Sequence, residues 1–180
     1  MLFPRYLIVI MLLMLAGCDD LNPSADDIRP PANCDVIGPE VCQMAPVVSL
    51  PDTLGITVTI PDVMLGTNTD GIVLYFTMWC STCSSHISEI VNGILPNYPN
   101  VKLFIIDYVS GTIESSYEAQ KANGFTELNV LVDIDREAVR RYEGNMATTV
   151  VIENTGSHGT IRMNELYKPT KLTETLDALP

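Results

Sequence analysis

Five cysteines stand in the 180-residue chain, at positions 18, 34, 42, 80 and 83. Cys80 and Cys83 form a C-x-x-C pair, with Trp79 directly ahead of it. By itself such a pair can be half of a zinc site, a structural bridge or a redox couple. Its surroundings choose among these. The apolar run Ile72-Val73-Leu74-Tyr75-Phe76 ends just before it, and a helical pattern begins just after it. Cys80 is therefore placed at a helix N-terminus, where unpaired N–H groups and the helix dipole favour a thiolate. A lowered pKa makes that sulfur a nucleophile near neutral pH. Cys83 lies one turn inside, on the apolar face, close enough to attack a mixed disulfide on Cys80 and release the bound partner. Cys80 is thus expected to attack and Cys83 to resolve, with Trp79 flanking the exposed sulfur. Cys34 and Cys42 are expected to form a local structural disulfide, as paired cysteines do in an oxidising compartment. A second redox pair passing electrons to the first is the alternative.

The elements that must hold the pair follow from hydropathy. Residues 72–76 are continuous, apolar and rich in strand formers, the pattern of a buried central strand. Ahead of them, residues 47–50 and 56–60 predict a short hairpin around 52–55. After them, Cys83, Ile87, Ile90, Val91, Ile94 and Leu95 recur at three- and four-residue steps, which is one face of a helix, and Pro96 ends it. A second buried strand is predicted over 101–106. A helix over 115–123 follows, with Gly124 as its C-cap, and then a strand over 128–132. The spacing predicts a helix over 135–143, opened by Asp135 and closed by Gly144. Residues 149–152 and 160–163 predict a hairpin around 154–157, and 170–179 a final amphipathic helix. Strands alternating with helices, then a hairpin and a helix, indicate an α/β fold with a central mixed sheet flanked by helices.

Three segments carry a family resemblance. Gly71-Ile-Val-Leu-Tyr-Phe-Thr-Met-Trp-Cys-Ser-Thr-Cys83 resembles the active-site segment of the thioredoxin superfamily. Pro46-Val-Val-Ser-Leu-Pro-Asp52 is similar to the start of redoxin domains, a group that includes TlpA/ResA-like proteins and peroxiredoxins. Gly144-Asn-Met-Ala-Thr-Thr-Val-Val-Ile-Glu-Asn-Thr-Gly156 resembles a stretch that usually reads Gly-x-Pro-Thr-Thr-x-x-Ile-Asp-x-x-Gly. The resemblance covers residues 46–179. It implies a thioredoxin fold with an extra N-terminal β-hairpin, and thiol–disulfide exchange that needs no cofactor beyond the Cys80–Cys83 pair. It also implies substrate contact at Met146, Ala147 and Thr148. Membrane-tethered relatives usually reduce periplasmic proteins, so exported protein thiols and disulfides and a membrane redox partner are the implied partners.

Three positions depart from the family pattern. Ala147 stands where the family has a cis-proline. A cis bond before a non-proline costs ~2.5–4 kcal/mol, so a trans Met146–Ala147 bond is expected, with easier access of soft metals to the sulfurs. Leu74 stands in the place of thioredoxin's buried aspartate. His86 stands six residues after Cys80, where TlpA/ResA-like proteins often carry a glutamate. On a helix it neighbours Cys83 by the i,i+3 rule, which suits it to take the Cys83 proton or stabilise a thiolate; a helix-surface histidine with no role is the alternative. Two other activities compete with disulfide exchange. Thr77, three residues before Cys80, is placed as in peroxiredoxins and suggests a thiol peroxidase, but Val73 stands where their proline is expected. A copper-binding protein resembling the Sco group is the other, since two thiolates and Met146 suit Cu(I). Copper enters only in that reading, and no metal site is expected otherwise.

The first residues read as a targeting segment. Arg5 is a minimal positive region, residues 7–15 are an apolar run too short to span a bilayer as a helix, and Leu15-Ala16-Gly17-Cys18 follows. This resembles a bacterial lipoprotein signal over residues 1–17, which implies cleavage before Cys18, lipid on that cysteine and residence in the cell envelope. Residues 18–45, rich in proline and aspartate, read as a flexible tether, and 46–180 as the thioredoxin-like domain. The net charge of −12 disfavours nucleic acid, whose phosphates are held by Lys and Arg.

Overall fold

The computed structural model describes residues 32–180. Cys18, the leader and the first part of the tether lie outside the described residues.

Strands β1 (Val48–Pro51) and β2 (Thr57–Ile60) form the antiparallel hairpin, with Val48 opposite Ile60. The apolar run becomes β3 (Gly71–Thr77), buried along its whole length. Successive strand side chains point to opposite faces. Ile72, Leu74 and Phe76 therefore enter one core, shared with Val48, Leu50 and Ile60 of the hairpin. Val73 and Tyr75 enter the other, shared with Cys83, Ile87 and Ile90. Each such aliphatic side chain stabilises by ~1.5–3 kcal/mol when taken from water.

Helix α1 (Ser81–Glu89) follows β3 directly. It continues through a π-helical turn (Ile90–Ile94) and a 3-10 turn (Leu95–Asn97), rather than as one α-helix up to the proline. Pro96 has no N–H to offer the preceding turn, so the chain leaves α geometry ahead of it. Next come β4 (Val101–Asp107), α2 (Ile113–Ala122), β5 (Asn129–Val132) and α3 (Glu137–Tyr142). Helix α3 starts two residues later than predicted. The buried Asp133, not Asp135, accepts its first N–H groups, from Ala138 at 3.1 Å and Val139 at 2.9 Å. Its left-handed terminator is Glu143, not Gly144. Gly144 is required for another reason: a Cβ there would run into the Phe76 ring. Strands β6 (Thr148–Asn154) and β7 (Gly159–Leu166) and helix α4 (Pro169–Asp177) complete the fold.

The sheet order is β5-β4-β3-β6-β7. Strands β3, β4 and β5 run parallel, and β6 is antiparallel to both β3 and β7. This is the α/β fold with a central mixed sheet that the pattern predicts. The register brings the ends of β3, β4, β5 and β7 and the start of β6 to one edge. There Thr77 pairs with Asp107, Asp107 with Val132, and Thr148 with Leu166.

Composition puts the end of the tether at residue 45, but residues 36–45 belong to the folded body. Met44 N–H donates to Val36 O at 3.0 Å, Cys42 N–H to Ile161 O at 2.8 Å, and Ala45 N–H to Gly159 O at 2.8 Å. Ile161 N–H returns a bond to Gln43 O at 2.9 Å. An edge strand presents a row of unpaired donors and acceptors, and this segment satisfies part of that row on β7. A Cys34–Cys42 disulfide, with Cα atoms 5.0 Å apart, closes the loop leading into it. Among the described residues no helix is long and apolar enough to cross a membrane.

Candidate active site at Cys80 and Cys83

Strand β3 delivers Cys80 to the sheet edge, and α1 begins on it. Cys80 is the N-cap, extended at φ −79° and ψ 161°, and its Sγ accepts the Cys83 N–H at 3.1 Å. The two cysteines are disulfide-bonded, with Cα atoms 5.0 Å apart. Their environments differ. Cys80 is half-buried, whereas Cys83 is only 1% exposed and packs in the second core. On reduction, the outer sulfur meets a ready N–H donor and the positive end of a helix, which together favour the thiolate. The inner sulfur has neither the exposure nor the helix end.

Trp79 lies in the left-handed region at φ 56°, which costs an ordinary residue ~1–2 kcal/mol. Two bonds hold it there. Its N–H donates to Thr77 Oγ1 at 3.0 Å, and its indole Nε1–H donates to Asp107 Oδ2 at 2.7 Å. The Thr77 hydroxyl thus ties the loop together from a fully buried position. Asp107, the last residue of β4, is also fully buried and accepts the N–H groups of Val109 and Ser110, each at 3.1 Å. Burial alone would push this carboxyl up. The hydrogen bonds from Ser110, Trp79 and Val109 outweigh it and hold the group below the usual carboxylate range. The buried Ser116 hydroxyl beside the carboxyl lowers it further, without a hydrogen bond of good geometry. In the sequence Asp107 shows only as a lone carboxylate closing an apolar strand, with no spacing that ties it to the cysteines.

The loop before β6 faces the pair. Met146 Sδ lies 3.8 Å from Cys80 Sγ. Ala147 is left-handed at φ 64°, with a trans bond before it. Its N–H donates to Phe76 O at 2.9 Å and its carbonyl accepts the Tyr167 N–H at 2.8 Å. Thr148 is buried, and both its N–H and its hydroxyl oxygen bond Asn145 across the turn, at 2.9 Å each. Met146 is therefore the loop side chain that reaches the sulfurs, while the polar groups of Ala147 and Thr148 are spent inside the fold.

His86 Nδ1 hydrogen-bonds the Tyr75 hydroxyl at 3.0 Å. Its ring lies 4.4 Å from that of Tyr167, whose hydroxyl donates to Glu89 at 3.0 Å. Tyr75 offers a buried hydroxyl that needs a partner, and β7 brings an aromatic face, so the imidazole turns that way. Burial raises the pKa of Tyr75, and burial with the Glu89 bond raises that of Tyr167, so both stay neutral.

Exposed apolar side chains stand at this end of the sheet. Met78, Val109, Ile134, Met146 and Leu166 are all exposed, and each stands in a turn or strand end that the register brings to this side. A groove of about 770 Å³ lies elsewhere, along Ser84, Ser88 and Asn92 of the α1 segment and Asn123 beyond α2.

No family model matches the sequence, and no curated protein matches it. Solved structures do. A candidate protein disulfide isomerase from Bacteroides thetaiotaomicron superposes with a TM-score of 0.62 at 20% identity, over 77% of this chain and 86% of that one. A candidate thioredoxin from Neisseria meningitidis gives 0.57 at 25% identity, over 74% and 87%. A secreted disulfide oxidoreductase from Mycobacterium tuberculosis gives 0.53 at 16% identity, over 73% and 96%. The chain has the thioredoxin fold, and the solved structures it resembles are thioredoxin-like thiol–disulfide oxidoreductases.

Proposed function

We propose that this chain is an exported thiol–disulfide oxidoreductase, anchored in the cell envelope by lipid on Cys18, that reduces disulfides of other exported proteins. The observation that carries the reading is the asymmetry of the pair: a half-buried Cys80 sulfur capping α1 and a buried Cys83 one turn below. The Cys80 thiolate attacks a substrate disulfide. One substrate sulfur leaves as a thiolate, and a mixed disulfide remains on Cys80. Cys83, losing its proton, then attacks Cys80 Sγ and displaces the second substrate thiolate. Two electrons have moved to the substrate, and the Cys80–Cys83 disulfide is left for a membrane dithiol partner to reduce. The cycle uses no group beyond the two sulfurs. The exposed Met78 and Met146 beside the pair suit a protein partner presenting an apolar segment next to its cysteine. The lipobox at residues 15–18 and the secreted Mycobacterium tuberculosis neighbour support the placement outside the cytoplasm. Net negative charge makes nucleic acid an unsuitable partner.

The test uses Cys83→Ser, expressed with its own leader. The variant is expected in the membrane fraction, carrying mixed disulfides on Cys80 with exported proteins. Trapping on Cys83 in a Cys80→Ser variant instead would reverse the roles. A soluble, unlipidated chain would remove the anchor. A reduction potential of the pair well above that of glutathione would make the protein an oxidant rather than a reductant.

A further inference from the structure

Met146 is placed in a way that packing does not explain. The residue is 46% exposed, so burial is not what seats it. The turn that carries it is held by the Asn145–Thr148 and Ala147–Phe76 bonds, which make no use of its side chain. Yet its sulfur lies 3.8 Å from Cys80 Sγ, across 66 residues of sequence. Cys83 Sγ is bonded to that same Cys80 sulfur. Three soft donors from two segments thus occupy one small volume at the open edge of the sheet.

We propose that the reduced pair and Met146 together form a three-sulfur site for a single Cu(I) ion. Thiolates and thioethers select this soft cation over harder divalent ions. Sulfurs bound to one metal at ~2.3 Å stand ~3.8–4.0 Å apart, the separation that Met146 keeps from Cys80. Loading is a ligand substitution in which no electron moves. Both thiols release their protons, and the ion exchanges the ligands of its carrier for two thiolates and one thioether. The helix N-terminus that favours a Cys80 thiolate lowers the proton cost of that step. The exposure of Met146 and Cys80 gives the ion its entry. The disulfide form has no thiolate to offer, so only the reduced protein binds, and a bound ion and a mixed disulfide exclude one another at Cys80.

The test is an anaerobic titration of the phosphine-reduced chain with Cu(I) against a chromophoric chelator, followed by copper X-ray absorption. One ion per chain with three sulfur neighbours is expected. Met146→Leu should bind ~10-fold or more weakly with two sulfur neighbours. Met146→His should restore tight binding with a nitrogen neighbour, which a structural role for Met146 would not produce. Two sulfurs in both wild type and Met146→Leu, equal affinities, or no stoichiometric binding by the reduced chain would each overturn the site.

Discussion

Asp107 holds three donors at a place water does not reach: the Trp79 indole and the N–H groups of Val109 and Ser110. The left-handed Trp79, and with it the approach to Cys80, depends on that carboxylate. In Asp107→Asn one acceptor oxygen becomes an NH2 group aimed at donors. A loss of ~1–3 kcal/mol in urea unfolding is expected, with a shift in the fluorescence of the single tryptophan. The folded-state pKa of Asp107 is depressed, so its stabilisation is fully present above the unfolded value of ~4 and is lost as pH falls through the lower folded value. The gap between wild type and Asp107→Asn should therefore narrow below about pH 4. A gap independent of pH would show that the charge itself contributes nothing.

At the scale of elements, the loop between α3 and β6 is built around a backbone that proline cannot adopt. Ala147 has φ 64° and donates its N–H to Phe76 O. Proline fixes φ near −65° and has no N–H. The same Phe76 closes against Gly144, which tolerates no Cβ there. Restoring the family's proline with Ala147→Pro is therefore expected to destabilise by more than ~1 kcal/mol, read from the shift in the urea midpoint, and to lower the rate of insulin reduction. Unchanged stability would mean that the loop refolds to accept the ring. The departure at Ala147 is thus not a single replaced residue. The turn has been rebuilt around it, with Met146 pointing at Cys80 as the result.

For the whole molecule, the exposed flank of the sheet matters most. Strand β7 ends the sheet, and residues 42–45 pair along part of it. The Cys34–Cys42 loop fastens the start of that segment. Closing so short a loop removes ~2–3 kcal/mol of unfolded-state entropy in the chain-entropy account. The Cys34→Ser/Cys42→Ser variant is expected to lose about that much stability while reducing insulin at the wild-type rate. A rate that falls while the fold survives would make these cysteines a relay to Cys80 and Cys83.

The C-x-x-C at a strand-to-helix turn was readable from the sequence because its geometry is local. A helix N-terminus and a three-residue step place two sulfurs together whatever surrounds them. Periodicity likewise marked the hairpin, the central strands and the helices, since each face of the sheet selects its own alternation. The rest depended on residues far apart in the chain. Asp107 reaches Trp79 across 28 residues, through the parallel register of β3 and β4, and Met146 reaches Cys80 across 66, through the antiparallel β6. His86 has the spacing to neighbour Cys83, but its Tyr75 and Tyr167 partners come from outside its own helix. Residues 36–45 look like a tether by composition, and only an unpaired strand edge beside them makes them part of the fold. Local spacing determines which groups can do chemistry, and strand register, which no short window of sequence contains, decides what stands next to them.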